Sequence, residues 1–92
     1  MPPAGFALGL AYPSATFANP AGGIYASGIN SGDVPCAPGK QVVGGGVRTS
    51  GFDQFVNESS PTDGTGSGWG ATVENFGTSN ESFTVTAICV SP

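Results

Sequence analysis

The residues from Cys36 to Gly46, Cys-Ala-Pro-Gly-Lys-Gln-Val-Val-Gly-Gly-Gly, constrain this chain more than any other stretch. A cysteine leads into the turn pair Pro38-Gly39, then into a short apolar run that ends in three glycines. The other cysteine, Cys89, lies in Ser82 to Val90, where Phe83, Val85, Ala87 and Cys89 share one face of an extended chain. Both stretches read as strands, and one disulfide can join them around a compact β-domain. Closing so long a loop stabilises by about 4 kcal/mol in the chain-entropy picture. The alternative is a pair of free thiols in a reducing cytosol. A bridge persists in oxidising surroundings and so points to the cell exterior, the periplasm or a released virion.

The chain has 92 residues, enough for one domain. A domain this small buries only about 60–65% of the surface its unfolded chain exposes. It therefore needs help from a disulfide or a partner subunit. Histidine is absent and only 2 cysteines are present, so zinc, haem and iron–sulfur sites are not expected, and no cofactor is.

Residues 1–22 carry Pro2, Pro3, Pro13 and Pro20, and glycines between them, so no helical stripe survives. They read as an extended N-terminal arm with at most one or two brief strands. Residues 23–92 read as the disulfide-linked β-domain. The arm holds Phe6, Leu8, Leu10, Tyr12 and Phe17 and no charge. Such a segment is poorly solvated when free, so it should lie on its own domain or on a neighbouring subunit.

Further strands are expected at 23–29, 41–48, 52–59, 69–76 and 82–90, with Asn30-Ser31-Gly32-Asp33 as a turn. The glycines at 44–46 suggest that a bulky side chain, Trp69, lies over them. In 52–59 neither parity is cleanly apolar, which leaves the buried face undecided. Short strands, frequent turns and no helix indicate an all-β fold, a small antiparallel sandwich or barrel.

Charged residues make up 9% of the chain, against about 25% in ordinary globular proteins. The net charge is −4, and Lys40 and Arg48 are the only cations. Binding nucleic acid by counterion release needs several cations, and so does docking on an anionic membrane. Neither partner is expected. No basic segment followed by an unbroken apolar run follows Met1. The chain is thus expected either to be numbered from its mature start or to reach the exterior without a signal, as a virion protein does on lysis.

The ordered series Cys36, Pro38-Gly39-Lys40, Gly44-Gly45-Gly46, Ser60-Pro61, Gly68-Trp69, Asn75 and Ala87-Ile88-Cys89 resembles a small β-module. That module belongs to bacterial secreted proteins and phage virion surface proteins, often at the ends of fibres or stalks. The resemblance covers about residues 36–90. It implies a disulfide between the module's ends, an antiparallel fold and an extracellular or virion location. It brings no catalytic residues with it.

The acids are Asp33, Asp53, Glu58, Asp63, Glu74 and Glu81. A carboxylate pair can cleave glycosides, but such acids on a small β-domain are usually solubilising. Nucleophilic catalysis needs an activating base, and without histidine only Lys40 is on hand. Asp63 to Gly68 has a faint calcium-loop pattern without the further acids or the closing glutamate. Trp69 and Tyr25, with Tyr12 and Phe52, can stack on sugars or fill the core.

These features predict no enzyme. They predict a structural protein on the exterior of a phage virion, a capsid decoration (cement) protein or a fibre component. It would meet capsid or fibre subunits through its arm and form a homo-oligomer, a trimer. A secreted carbohydrate-binding or adhesion module and an extracellular filament subunit are the alternatives.

Overall fold

The computed structural model describes residues 9–22, 28–62 and 66–91. Phe6, Leu8 and Tyr25 lie outside them, as does most of the strand expected at 23–29. The described elements are β1 (Ser14–Asn19), β2 (Gly28–Pro35), β3 (Gln41–Thr49), β4 (Gln54–Pro61), β5 (Gly68–Asn75) and β6 (Glu81–Val90). They form two three-stranded antiparallel sheets, ordered β1-β6-β3 and β2-β5-β4. The sheets face each other across one core, so the expected all-β fold is an antiparallel sandwich.

β6 is the central strand of its sheet, which is why its sequence alternates so plainly. Phe83, Val85, Ala87 and Cys89 are each 1% exposed or less. From the facing sheet come Val34, Ala71 and Val73. The core is small, and most of its side chains are short.

One expectation is corrected here, and two features that the sequence left open take their form for physical reasons. First, Asn30 to Asp33 is not a turn but part of β2, paired with Val73 to Gly70 of β5. Each turn-type residue is used inside the strand. The Asn30 amide donates to Asn19 Oδ1 at 2.9 Å. Ser31 and Thr72 share a hydroxyl bond of 2.9 Å. Gly32 sits under the Phe17 ring, where a Cβ would collide with it.

Second, residues 14–19 belong to the sandwich. β1 pairs along β6, and the chain before it joins in: Ala11 and Cys89 exchange two backbone bonds of 2.9 Å. Third, β4 has a bulge between Val56 and Glu58. Before it Gln54 and Val56 lie opposite the inward Asn75 and Val73; after it Ser59 and Pro61 lie opposite the inward Ala71 and Trp69. A bulge moves every later side chain to the other parity, so no single parity of this stretch is apolar.

Two aromatic-on-glycine contacts join the sheets. Phe17 of β1 lies on Gly32 of β2, and its ring centroid is 5.5 Å from that of Phe83. Trp69 of β5 lies on Gly45 of β3, as the glycine run suggested. The Trp69 indole N–H donates to Ser59 Oγ at 2.9 Å.

The two ends of the sandwich are closed differently. At one end Cys36, just past β2, is bonded to Cys89 of β6, with Cα atoms 5.8 Å apart. The Pro38-Gly39 turn closes beside it through Lys40 N–H to Ala37 O at 3.0 Å, with Gly39 at φ 83°. At the other end four side-chain amides interlock. Asn19 Nδ2 donates to Gln54 Oε1 at 2.8 Å. Asn75 Nδ2 donates to Asn19 O at 2.8 Å and to Ser79 O at 3.0 Å, and its Oδ1 accepts from Gly77 N–H at 2.8 Å. Asn19 and Asn75 are both 0% exposed. Leaving one such buried amide unpartnered costs about 1–3 kcal/mol, so this end is specified as firmly as the bonded one.

Reducing Cys36–Cys89, which spans 53 residues, is expected to lower unfolding stability by about 4 kcal/mol, read as a fall in urea midpoint with and without reductant. An unchanged midpoint would show that the bond does not constrain the unfolded chain. Gly45→Ala is expected to destabilise by about 1–3 kcal/mol, because its Cβ meets the Trp69 ring and lies 2.7 Å from Thr86 O. Gly46→Ala is expected to be neutral or stabilising by up to about 1 kcal/mol, since its Cβ meets nothing within 4 Å. Equal losses at both positions, in the same denaturation series, would contradict the packing described.

Candidate functional site

With the apolar residues of both sheets turned inward, the chemistry lies on the two outer faces. On β2-β5-β4 the strand register sets the outward side chains in rows. Ile29, Glu74 and Phe55 form one row, and Ser31, Thr72 and Glu58 the next. Asp33, Gly70 and Ser60 form a third.

At the amide-network end this face is aromatic. Phe55 and Phe76 meet edge to face, with centroids 5.0 Å apart. They are 59% and 55% exposed, Ile29 is 59% exposed, and Phe52, just before β4, is fully exposed. Asp53 borders the patch and accepts the Phe76 backbone N–H at 2.8 Å. Toward the disulfide end the same face is polar. A shallow groove of about 180 Å³ is lined by Ser31, Asp33, Glu58, Ser60, Thr62 and Thr72, with Gly70 among its lining residues. Glu58 Oε1 accepts from Ser60 Oγ at 3.1 Å, and Glu74 Oε1 accepts from Asn57 Nδ2 at 3.1 Å.

The outer face of β1-β6-β3 is of another kind. Ser14, Thr86 and Gly46 form one row across it, and Thr16, Thr84 and Arg48 the next. Gly44 lies opposite Ile88. Thr16 and Thr84 share a hydroxyl bond of 2.8 Å, and the surface is flat and short-chained. Arg48 is its one cation, and no carboxylate stands in these rows. The second cation, Lys40, is held at the disulfide end, where it donates to Gly9 O and to Ser91 Oγ. It thereby anchors residue 9 beside the end of β6.

The structure separates the residues that the sequence reading grouped. Cys36 and Cys89 are bonded. Of the arm residues, Leu10 and Tyr12 are 58% and 62% exposed, whereas Phe17 packs against the core of its own domain. Trp69 is half-buried with its ring over Gly45, so the face it covers there is not open to a ligand. Tyr25 lies outside the described residues. Phe55, Phe76, Ile29 and Arg48 were not singled out as site residues. A signal existed for Phe55, an apolar residue on a strand of unclear parity, but only its register opposite the outward Glu74 reveals that it points outward.

No helix among the described residues is long and apolar enough to cross a membrane. No protein-family model matches the chain, no curated protein does, and no solved structure does.

Proposed function

We propose that this chain is a non-enzymatic structural protein of the exterior of a phage virion, either a capsid decoration (cement) protein or a fibre component. The observation that carries the reading is the open aromatic pair of Phe55 and Phe76, with Ile29 across Glu74 on the same face, on a domain that has already closed its own core. Contiguous exposed apolar groups of this kind mark surfaces that meet another macromolecule. A covalently stapled sandwich suits an oxidising exterior. The resemblance of Cys36 to Cys89 to a β-module of secreted and virion surface proteins agrees with this.

In this reading the N-terminal residues Phe6, Leu8, Leu10 and Tyr12 bury themselves on the shell or on a neighbouring subunit. Lys40 holds their point of departure at Gly9. Copies associate as a homo-oligomer, a trimer, which adds buried surface that one small domain lacks. Deleting residues 2–10 stops short of the Ala11–Cys89 bridge, so the sandwich should fold as before. Co-sedimentation with the virions is then expected to fall at least about tenfold, a loss of roughly 1.4 kcal/mol. Unreduced co-sedimentation of the deletion protein would overturn the role given to these residues.

A secreted carbohydrate-binding module is the second reading. It is favoured by the hydroxyl- and carboxylate-lined groove on the same outer face as the Phe55–Phe76 pair. A glycan array probed with the wild type and with Asp33→Ala is expected, on that reading, to show a signal that the variant loses. An array with no signal would remove it.

A further inference from the structure

Four of the described charges are sorted between the two outer faces, whereas Lys40, Asp53 and Glu81 stand near the ends of the sandwich. Asp33, Glu58 and Glu74 stand on the outer face of β2-β5-β4, with no cation among the described residues there. Arg48 stands on the outer face of β1-β6-β3, with no carboxylate in its rows. Lys40 is occupied by Gly9 and Ser91, whereas no described hydrogen bond or ion pair holds Arg48. The faces also differ in relief. One carries the projecting rings of Phe55 and Phe76. The other is a strip of threonines, serine and glycine, in which Gly46 has open space where a side chain would go. Nothing inside the molecule asks for glycine at 46. A strand glycine marks a bulge, as β3 has between Val42 and Gly44, or a place where another body comes close, and Gly46 lies past the bulge.

We infer that the β2-β5-β4 outer face of one copy seats on the β1-β6-β3 outer face of a second copy. The aromatic pair of one lies along the Gly44–Gly46 strip of the other, and Arg48 meets the acids. The inference deepens the structural-protein reading and rests on it by naming a second copy as one partner. A two-fold contact of the aromatic face with itself is disfavoured, because it sets Glu74, Glu58 and Asp33 against their own kind. The contact is therefore heterologous, and it closes into a ring or runs on as a stack according to its rotation.

Its size bounds its strength. Three strands of 8 residues present roughly 400 Å² a face, or roughly 800 Å² for the pair. Stable interfaces bury about 1,200–2,000 Å². Free copies thus associate weakly. Copies already held side by side on a shell or fibre gain by effective concentration.

Sedimentation velocity of the full chain from about 10 µM to about 1 mM, the range of weak affinities, is the test. The wild type is expected to shift to larger species with concentration, and to lose the shift in high salt. Arg48→Glu and Phe55→Ser each spoil one face at an exposed position, and each alone should lose the shift with its thermal midpoint unchanged. Fluorescently labelled Arg48→Glu protein should nevertheless bind the Phe55→Ser protein, because together they supply one intact face of each kind. Association of either variant with itself as in the wild type, or no binding between the two, would overturn the inference. So would a wild type with no shift. If that protein still bound virions through residues 2–10, the structural-protein reading would stand without the contact between copies.

Discussion

The two sheets are held together by little apolar matter, and this constraint shapes everything else in the molecule. Among the described residues the buried apolar ones are valines, alanines, Cys89 and a single phenylalanine. An interior of that size offers a small part of what a larger domain gains by burial. The sheets must therefore approach closely and be prevented from sliding. Close approach is secured where Phe17 lies on Gly32 and Trp69 lies on Gly45, one ring from each sheet on a bare backbone of the other. Sliding is blocked at the ends, by Cys36–Cys89 at one and by the Asn19, Asn30, Gln54 and Asn75 amides at the other.

This economy inside explains the character of the outside. Aromatic residues that a larger core would absorb are left on the surface, Phe55 and Phe76 in contact with each other and Phe52 alone. A protein with 9% charged residues cannot hide such groups among charges. The proposed structural role rests on these exposed groups: in that reading the faces serve contact, and the stapled interior keeps them in register.

The N-terminal region shows how one segment can serve both needs. From Ala11 onward it is a strand of the fold, paired to β6 and contributing Phe17 to the core. Gly9 and Leu10 lie outside the strands, Gly9 held by Lys40 and Leu10 exposed. The expected arm of residues 1–22 allowed for a brief strand, and Ser14–Asn19 is one.

Several features were determined by the sequence itself. The alternation in Phe83 to Cys89, the turn at Pro38-Gly39 and the glycines under Trp69 are local or near-local patterns, and each has one physical solution. The absence of any run fit for a helix left an all-β chain. Tertiary structure decided the rest. Asn30 to Asp33 has the composition of a turn and becomes a strand only because Asn19, Thr72 and Phe17 arrive to use its side chains. The bulge after Val56 reverses the parity of β4, so that Phe55 before it and Glu58 after it both stand on the outer face. Residues far apart in the chain meet in each of these cases. Their energies arise only in the folded state, so no window of sequence contains them.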